Sequence, residues 1–146
     1  MPTHRAASPV NASLETLWAV LLDKMEHPQR YIEDALDAEV LERRPEGVVR
    51  RMTLPGAVEF RELIQAEART RTITFTLLDH PIYEGTVVNR IEVAPGGGLS
   101  LVFDLDWRLR PGHQDARDPS ELAGLIESSV EHTRRIAEAL EPRGLA

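Results

Sequence analysis

The chain has 146 residues, which is enough for one domain that hides about 70% of the surface exposed by its unfolded chain. Its formal net charge of −7 repels phosphate backbones, so we expect no nucleic acid partner. The absence of cysteine excludes disulfides, thiolate nucleophiles and zinc–thiolate sites.

No apolar run approaches the roughly 20 residues that span a bilayer, and residues 1–10 lack the apolar core of a secretory signal. We therefore expect a cytoplasmic protein without a membrane span. Three arginine pairs lie among acidic residues, a pattern typical of solvated surface. They are Arg43-Arg44, Arg50-Arg51 and Arg134-Arg135.

The first predicted elements are a strand at about 3–10 and an amphipathic helix that ends near Glu26. Ser13 is the expected N-cap, and apolar residues follow it at helical spacing. These are Leu14, Leu17, Trp18, Leu21, Leu22 and Met25. Pro28 ends this helix, because the residue before a proline is pushed out of the α region, and then opens a second short helix to about Asp34.

From Ala38 onward the apolar period changes to two, and proline, glycine and aspartate residues separate the alternating segments. The pattern predicts six strands in a meander. They lie near 38–43, 47–54, 57–66, 71–78, 85–94 and 99–110.

A long C-terminal helix closes the chain. Asp118 is its expected cap, Pro119 its first residue and Glu121 the partner in a capping box. One apolar stripe runs to Leu140, and Pro142 with Gly144 stops the helix. Its members are Leu122, Leu125, Ile126, Val130, Ile136, Ala137 and Leu140.

This order of elements predicts a single α+β domain over residues 1–146. A curved antiparallel sheet of six to seven strands wraps on the long C-terminal helix, and two short helices follow the first strand. A curled sheet leaves a space beneath one helix unless large side chains fill it. The chain has only seven aromatic residues, so we expect that space to be a cavity.

Several short motifs resemble one protein family in their order and spacing over roughly residues 8–108. They are Asn11-Ala12-Ser13, Leu17-Trp18, Lys24, Pro28-Gln29, Val40-Leu41-Glu42, Arg61-Glu62, Asn89-Arg90-Ile91-Glu92 and Asp106-Trp107. The family is the AtaL-like branch of the START and Bet v 1-like superfamily (SRPBCC), whose fold is called the helix grip.

The resemblance implies a deep cavity between sheet and C-terminal helix, which the superfamily uses for lipids, polyketides, hormones and other apolar molecules. Some relatives are aromatases or cyclases, and others only bind or carry. The resemblance supplies no catalytic residue for this chain.

Alternation also predicts which strand residues face the cavity. The inward set is Val58, Phe60, Glu62, Ile64, Ile73, Phe75, Leu77, Val87, Asn89, Ile91, Val93, Leu101, Phe103, Leu105, Trp107 and Leu109.

Glu62 and Asn89 are the polar members of this apolar set. Neighbouring side chains or buried water could satisfy them, a bulge could turn them outward, or they could meet a polar group of a ligand. Burial disfavours a charged carboxylate, which makes Glu62 the candidate general acid or base. Asn89 would orient a carbonyl or hydroxyl through its amide. We expect Glu62→Gln or Asn89→Leu to alter ligand affinity in a folded protein.

The expected cavity wall consists of Phe60, Phe75, Phe103 and Trp107, with Met52 on the far side. Trp107 and Trp18 also suit an ordinary core. Tyr83, in a loop over 79–84, either reaches the cavity mouth with its hydroxyl or is solvated.

We expect no metal and no cofactor. The five histidines lack metal-binding spacing, and His132 suits a surface or rim position better than that of a catalytic base. Gly96-Gly97-Gly98 lies between two strands, where it forms a hairpin tip and not a phosphate-binding loop.

Three functions remain open from the sequence. The first is binding of a small hydrophobic molecule, and the second is a cyclase, aromatase or dehydratase acting on a polyketide-type or related apolar substrate. Two or more ionisable side chains converging in the cavity would favour the enzyme. The third is an interaction protein with a filled core, which could form a homodimer along the edge strand or the outer helix face, and a cavity below about 300 Å³ would favour it.

Overall fold

The computed structural model describes residues 3–27, 30, 37–54, 58–113 and 119–140. Its elements are β1 (Thr3–Val10), α1 (Leu14–Glu26), β2 (Asp37–Arg44), β3 (Gly47–Leu54), β4 (Val58–Glu67), β5 (Thr72–Leu77), β6 (Tyr83–Val93), β7 (Leu99–Leu109) and α2 (Pro119–Leu140). The predicted α+β class and element order are confirmed. The second short helix and the Asp118 cap fall outside the described residues.

The seven strands form one antiparallel sheet in the order β1-β7-β6-β5-β4-β3-β2. Consecutive strands from β2 to β7 are neighbours, as a meander requires, and β1 pairs with β7 along its full length. The first and second strands of the chain therefore occupy opposite edges. A register shift between Val40 and Glu42 interrupts the pairing of β2 with β3.

Helix α1 covers one part of the curved sheet with its apolar face. Ser13 caps it as expected, because its hydroxyl accepts a hydrogen bond of 3.2 Å from the Thr16 backbone N–H. Leu17, Val20 and Leu21 are almost completely buried. Their spacing explains why this segment forms a helix that packs on the core.

Helix α2 packs against β1, β7 and α1. Its buried apolar residues are separated by four, four and seven positions, which agrees with the predicted stripe. They are Leu122, Ile126, Val130 and Ala137. Neither described helix has the combined length and apolar composition needed to cross a bilayer.

Most of the predicted inward residues form the core of the described strands. Val87 and Leu109 are half-buried, and the side chain of Val58 lies outside the described part. Val93 is 57% exposed, so its predicted inward burial is wrong. It pairs with Leu99 next to the turn of the β6–β7 hairpin, where the strands run past the buried part of the sheet.

Candidate functional site

A cavity of about 60 Å³ lies between the inner face of the sheet and the two helices. Its walls are mainly apolar and include the predicted wall residues Met52, Phe60, Phe75, Phe103 and Trp107. This volume is below the roughly 300 Å³ of an ordinary ligand pocket. Volume alone therefore favours the filled-core alternative. The polar groups on the cavity walls are the feature that favours a ligand-binding site.

Tyr83 does not belong to these described walls, which corrects the prediction for it. It is the first residue of β6 and is 1% exposed. Its ring centroid lies 5.3 Å from that of Trp107 and 5.4 Å from that of His80. Strand β6 begins two residues earlier than predicted, and its alternation turns Tyr83 inward to pack behind Trp107. It is therefore neither a solvated loop residue nor a mouth residue.

Glu62 lies on the cavity wall and forms a buried ion pair with Arg50, its direct neighbour across β3 and β4. Arg50 Nε donates to Glu62 Oε1 at 3.1 Å, and Nη2 contacts the same oxygen. The side chains of Arg50 and Glu62 are 2% and 6% exposed. Glu62 is thus a paired anion, which removes the physical reason for expecting a lone acid or base there.

The burial of Arg50 corrects the prediction that the Arg50-Arg51 pair is solvated. Its Nη1 donates to the backbone carbonyls of Lys24 at 3.0 Å and Met25 at 3.2 Å. These carbonyls belong to the last turn of α1, where backbone acceptors lack helical partners. The alternation of β3 places Arg50 on the inner face, so Arg50 joins the end of α1 to Glu62 on β4.

Lys24 projects from α1 into the same cavity and is 4% exposed. Its Nζ donates to Asn89 Oδ1 on β6 and to Ser129 Oγ on α2, both at 2.9 Å. The ammonium also lies 4.1 Å from the ring centroid of Phe103, a cation–π distance. One side chain thus connects both helices with the centre of the sheet.

The surroundings of Lys24 disfavour its charged form. The pKa of Lys24 is lowered from 10.5 to about 7: burial is the largest cause, the positive charge of Arg50 adds to it, and Glu62 opposes both effects. Near neutral pH a large fraction of this amine is therefore uncharged. An amine in that state is able to accept a proton or attack an electrophile.

Asn89 is fully buried, and the NH₂ end of its side-chain amide is available to donate a hydrogen bond. Lys24 Nζ donates to the Asn89 oxygen, so Nδ2 is the Asn89 atom that Lys24 does not contact. Within the described part of the chain, Asn89 Nδ2 and Trp107 Nε1 are buried without a hydrogen-bond partner. A buried donor left unpaired costs about 1–3 kcal/mol, so both atoms suit a ligand or water oxygen.

The two donors are separated along the sheet. Asn89 pairs with Phe103, and Trp107 lies four residues further along β7 on the same face. This offset corresponds to about 13 Å of strand. The cavity wall therefore includes one donor at Asn89, beside Lys24, and a second donor at Trp107.

Sequence reasoning missed Lys24, Arg50 and Ser129 as members of the site. The clearest available signal was composition, since the chain contains one lysine and sixteen arginines. Lys24 also lies seven residues after Leu17 and three after Leu21, on the buried face of α1. Elsewhere in the described part of the chain, no three histidine, aspartate or glutamate side chains are grouped as metal ligands.

The model of one protein family, AtaL (acetylaranotin biosynthesis cluster protein L), matches residues 4–140. The chain belongs to the AtaL family. The match extends beyond residues 8–108, on which the resemblance in sequence rested, and includes both helices of the site. No curated protein matches the sequence of this AtaL-family member.

Two solved structures share the fold of this AtaL-family chain. The Zhui aromatase/cyclase from Streptomyces sp. R1128 has a TM-score of 0.76 and 18% identity over 94% of each chain. TTHA0849 from Thermus thermophilus has a TM-score of 0.75 and 16% identity, covering 94% of this chain and 98% of its own. At these identities the likeness establishes the helix-grip fold and not a shared activity.

Proposed function

We propose that this protein binds a small, largely apolar molecule in the cavity and holds an acceptor oxygen of that molecule with Lys24 and Asn89. The observation that carries the proposal is the buried Nδ2 of Asn89, which has no partner among the described residues and belongs to the amide whose oxygen accepts from Lys24. A purely structural core has no use for such a donor, whereas a carbonyl or hydroxyl oxygen would satisfy it.

The present volume limits what enters without movement. About 60 Å³ accommodates only a few heavy atoms, so a larger molecule requires wall side chains or α2 to shift. Met52 is a suitable yielding residue, because its unbranched side chain adapts to irregular space. The ligand end at Lys24 is the fixed part of the site, since four hydrogen bonds hold Lys24 and the end of α1.

The first test compares 2-octanone with 1-octene, which lacks the oxygen, by ligand-observed NMR. We expect the ketone to bind more tightly than the alkene. Asn89→Leu should weaken ketone binding about tenfold, because one hydrogen bond at a buried site contributes about 1.4 kcal/mol. The exposed Asn11→Leu is the matched control and should bind normally. Equal binding of ketone and alkene to the folded wild-type protein would contradict the proposed polar anchor.

Native mass spectrometry of freshly purified protein offers a complementary test of the same site. A retained molecule that is apolar and carries an oxygen would support the proposal. Glu62→Gln is unsuitable as a binding variant, contrary to the sequence-based expectation, because it disturbs the ion pair that fixes α1.

A second candidate function is a cyclase-type enzyme. Lys24, Arg50 and Glu62 converge at the cavity, which meets the condition of at least two ionisable groups. One similar structure is that of an aromatase/cyclase. An uncharged Lys24 could remove a proton from the carbon next to a carbonyl that Asn89 holds, which leaves an enolate for ring closure.

We expect the wild-type protein to accelerate deuterium incorporation from D₂O into the carbons beside the carbonyl of 2-octanone. Lys24→Met should lose this acceleration, since it has no basic nitrogen, and NMR measures the rate directly. Lys24→Arg is the charge-retaining control and should also be inactive, because arginine stays protonated. Unchanged exchange in both variants would rule out Lys24 as the base.

A further inference from the structure

The single lysine of the chain lies in the cavity and touches neutral groups. Its Nζ contacts the Asn89 amide oxygen, the Ser129 hydroxyl and the face of Phe103. No carboxylate of the described residues is hydrogen-bonded to this nitrogen. A lysine that serves stability alone is normally exposed or paired with an acid, so its placement calls for a chemical explanation.

Capture of a carbonyl by an amine needs three features at one place. The nitrogen must be uncharged, the carbonyl oxygen needs a donor, and a hydroxyl or water must relay protons. Burial of Lys24 meets the first need, with its pKa about 7. Asn89 Nδ2 is a donor without a partner among the described residues, and Ser129 Oγ lies 2.9 Å from Lys24 Nζ.

We infer that Lys24 forms an imine with an aldehyde or ketone that enters the cavity. The lone pair of Nζ forms the new C–N bond while the carbonyl π electrons move to oxygen, which takes a proton. In total the nitrogen gives up two protons, one that converts this oxygen to a hydroxyl and one that converts the hydroxyl to water; the C–O bond breaks, the water leaves and C=N forms. No atom is oxidised or reduced. The step adds a covalent bond to the proposed binding and needs no particular natural ligand.

The test treats native protein at pH 7 with n-butanal and sodium cyanoborohydride, which reduces an imine to a stable secondary amine. Peptide mapping by mass spectrometry then locates the adduct. With one lysine in the chain, the α-amino group is the other amine and provides an internal reference. The same reaction in concentrated urea labels Lys24 as an ordinary lysine.

We expect native Lys24 to react at least about tenfold faster than unfolded Lys24 at pH 7. The uncharged amine is roughly 1000-fold more abundant at a pKa near 7 than at the ordinary lysine value, and restricted access reduces this advantage. Slower labelling of Lys24 in the native protein than in urea would overturn the inference. Labelling confined to the α-amino group would overturn it as well.

Asn89→Asp tests the inference without removing the lysine. The new carboxylate would pair with Lys24 and favour its charged form, so labelling at pH 7 should fall to near the urea rate. At pH 10 it should rise toward the wild-type rate measured at that pH without reaching it, because the Nδ2 donor is lost. Arg50 on β3 and Glu62 on β4 are the other charged groups whose electrostatic effect reaches Lys24. Undiminished labelling of folded Asn89→Asp at pH 7 would count against the mechanism.

The same samples separate this inference from the proposed function. If NMR shows binding of butanal and 2-octanone but no reduced adduct forms at Lys24, imine formation is contradicted and reversible binding is supported. If neither binding nor an adduct is detected, imine formation and the proposed binding function are both contradicted. An adduct that forms at Lys24 with the native rate advantage supports both.

Discussion

Arg50→Met is expected to lower the free energy of unfolding by about 3–5 kcal/mol, the usual effect of removing one partner of a buried ion pair. The substitution leaves the Glu62 carboxylate buried without its cation. It also leaves the Lys24 and Met25 carbonyls without the donor that ends α1. Methionine preserves most of the side-chain length, so the lost charge and hydrogen bonds dominate the effect.

Urea unfolding followed by circular dichroism measures this change, and Arg51→Met is the matched control. Arg51 is the next residue on β3 and faces outward, where it pairs with the exposed acids Asp37 and Glu59. Exposed pairs of this kind contribute about 0–1 kcal/mol. Similar losses for both variants would show that burial of the Arg50–Glu62 pair does not set its contribution.

The double variant Arg50→Met/Glu62→Leu separates the stranded charge from the lost hydrogen bonds. Removing both charges should recover part of the stability, because well-packed apolar residues often replace a buried pair with little loss. The α1 carbonyls stay unpaired in this variant, so recovery should be incomplete. Full loss in the double variant would assign the effect of Arg50 mainly to its contacts with α1.

The fold could be predicted from sequence because its signals are local. Alternation of apolar residues and the turn residues between strands set the strand bounds, and the largest errors are of about two residues, as at Tyr83. Ser13 and the helical spacing after it fixed α1. The inward residues followed from the same alternation, since a one-residue slip would have turned every side chain outward.

The charged part of the site was hidden for a physical reason. Lysine and arginine are almost never fully buried unless paired, so a prediction from sequence places them on the surface. The partners that permit burial come from distant segments, such as Asn89 for Lys24 and Glu62 for Arg50. Periodicity reports which face a residue occupies, but it does not report which side chain meets it there.

The volume of the cavity also could not be predicted from the sequence. A scarcity of aromatic residues suggested open space, yet Phe60, Phe75, Phe103 and Trp107 lie on the same cavity wall. Their concentration there leaves about 60 Å³. Volume depends on how side chains from different strands meet, and composition averages over the whole chain.

These polar contacts also connect stability with chemistry. Arg50 holds the carbonyl of Lys24 and thereby fixes the turn of α1 from which the amine projects. The positive charge of Arg50 also helps to lower the pKa of Lys24. Arg50 is therefore a positioning residue for Lys24. Its partner Glu62 opposes the decrease in the pKa of Lys24.

We expect the stability of the protein to rise with pH between about 7 and 10.5. The folded protein lowers the pKa of Lys24 from 10.5 to about 7, so in this window the unfolded chain binds more protons at this residue than the folded protein. Raising the pH removes that advantage of the unfolded state. The slope from this one group is at most about 1.4 kcal/mol per pH unit.

Urea unfolding at pH 7.5, 8.5 and 9.5 measures this slope with little interference. Lys24 is the only lysine of the chain. Lys24→Met removes the titrating group while keeping an unbranched side chain, so its stability should be nearly independent of pH. Because the α-amino group is common to both proteins, the difference between their slopes isolates Lys24. Equal pH slopes for the wild type and Lys24→Met would mean that folding does not change the pKa of Lys24. The burial of this amine among Phe103, Asn89 and Ser129 argues against that result.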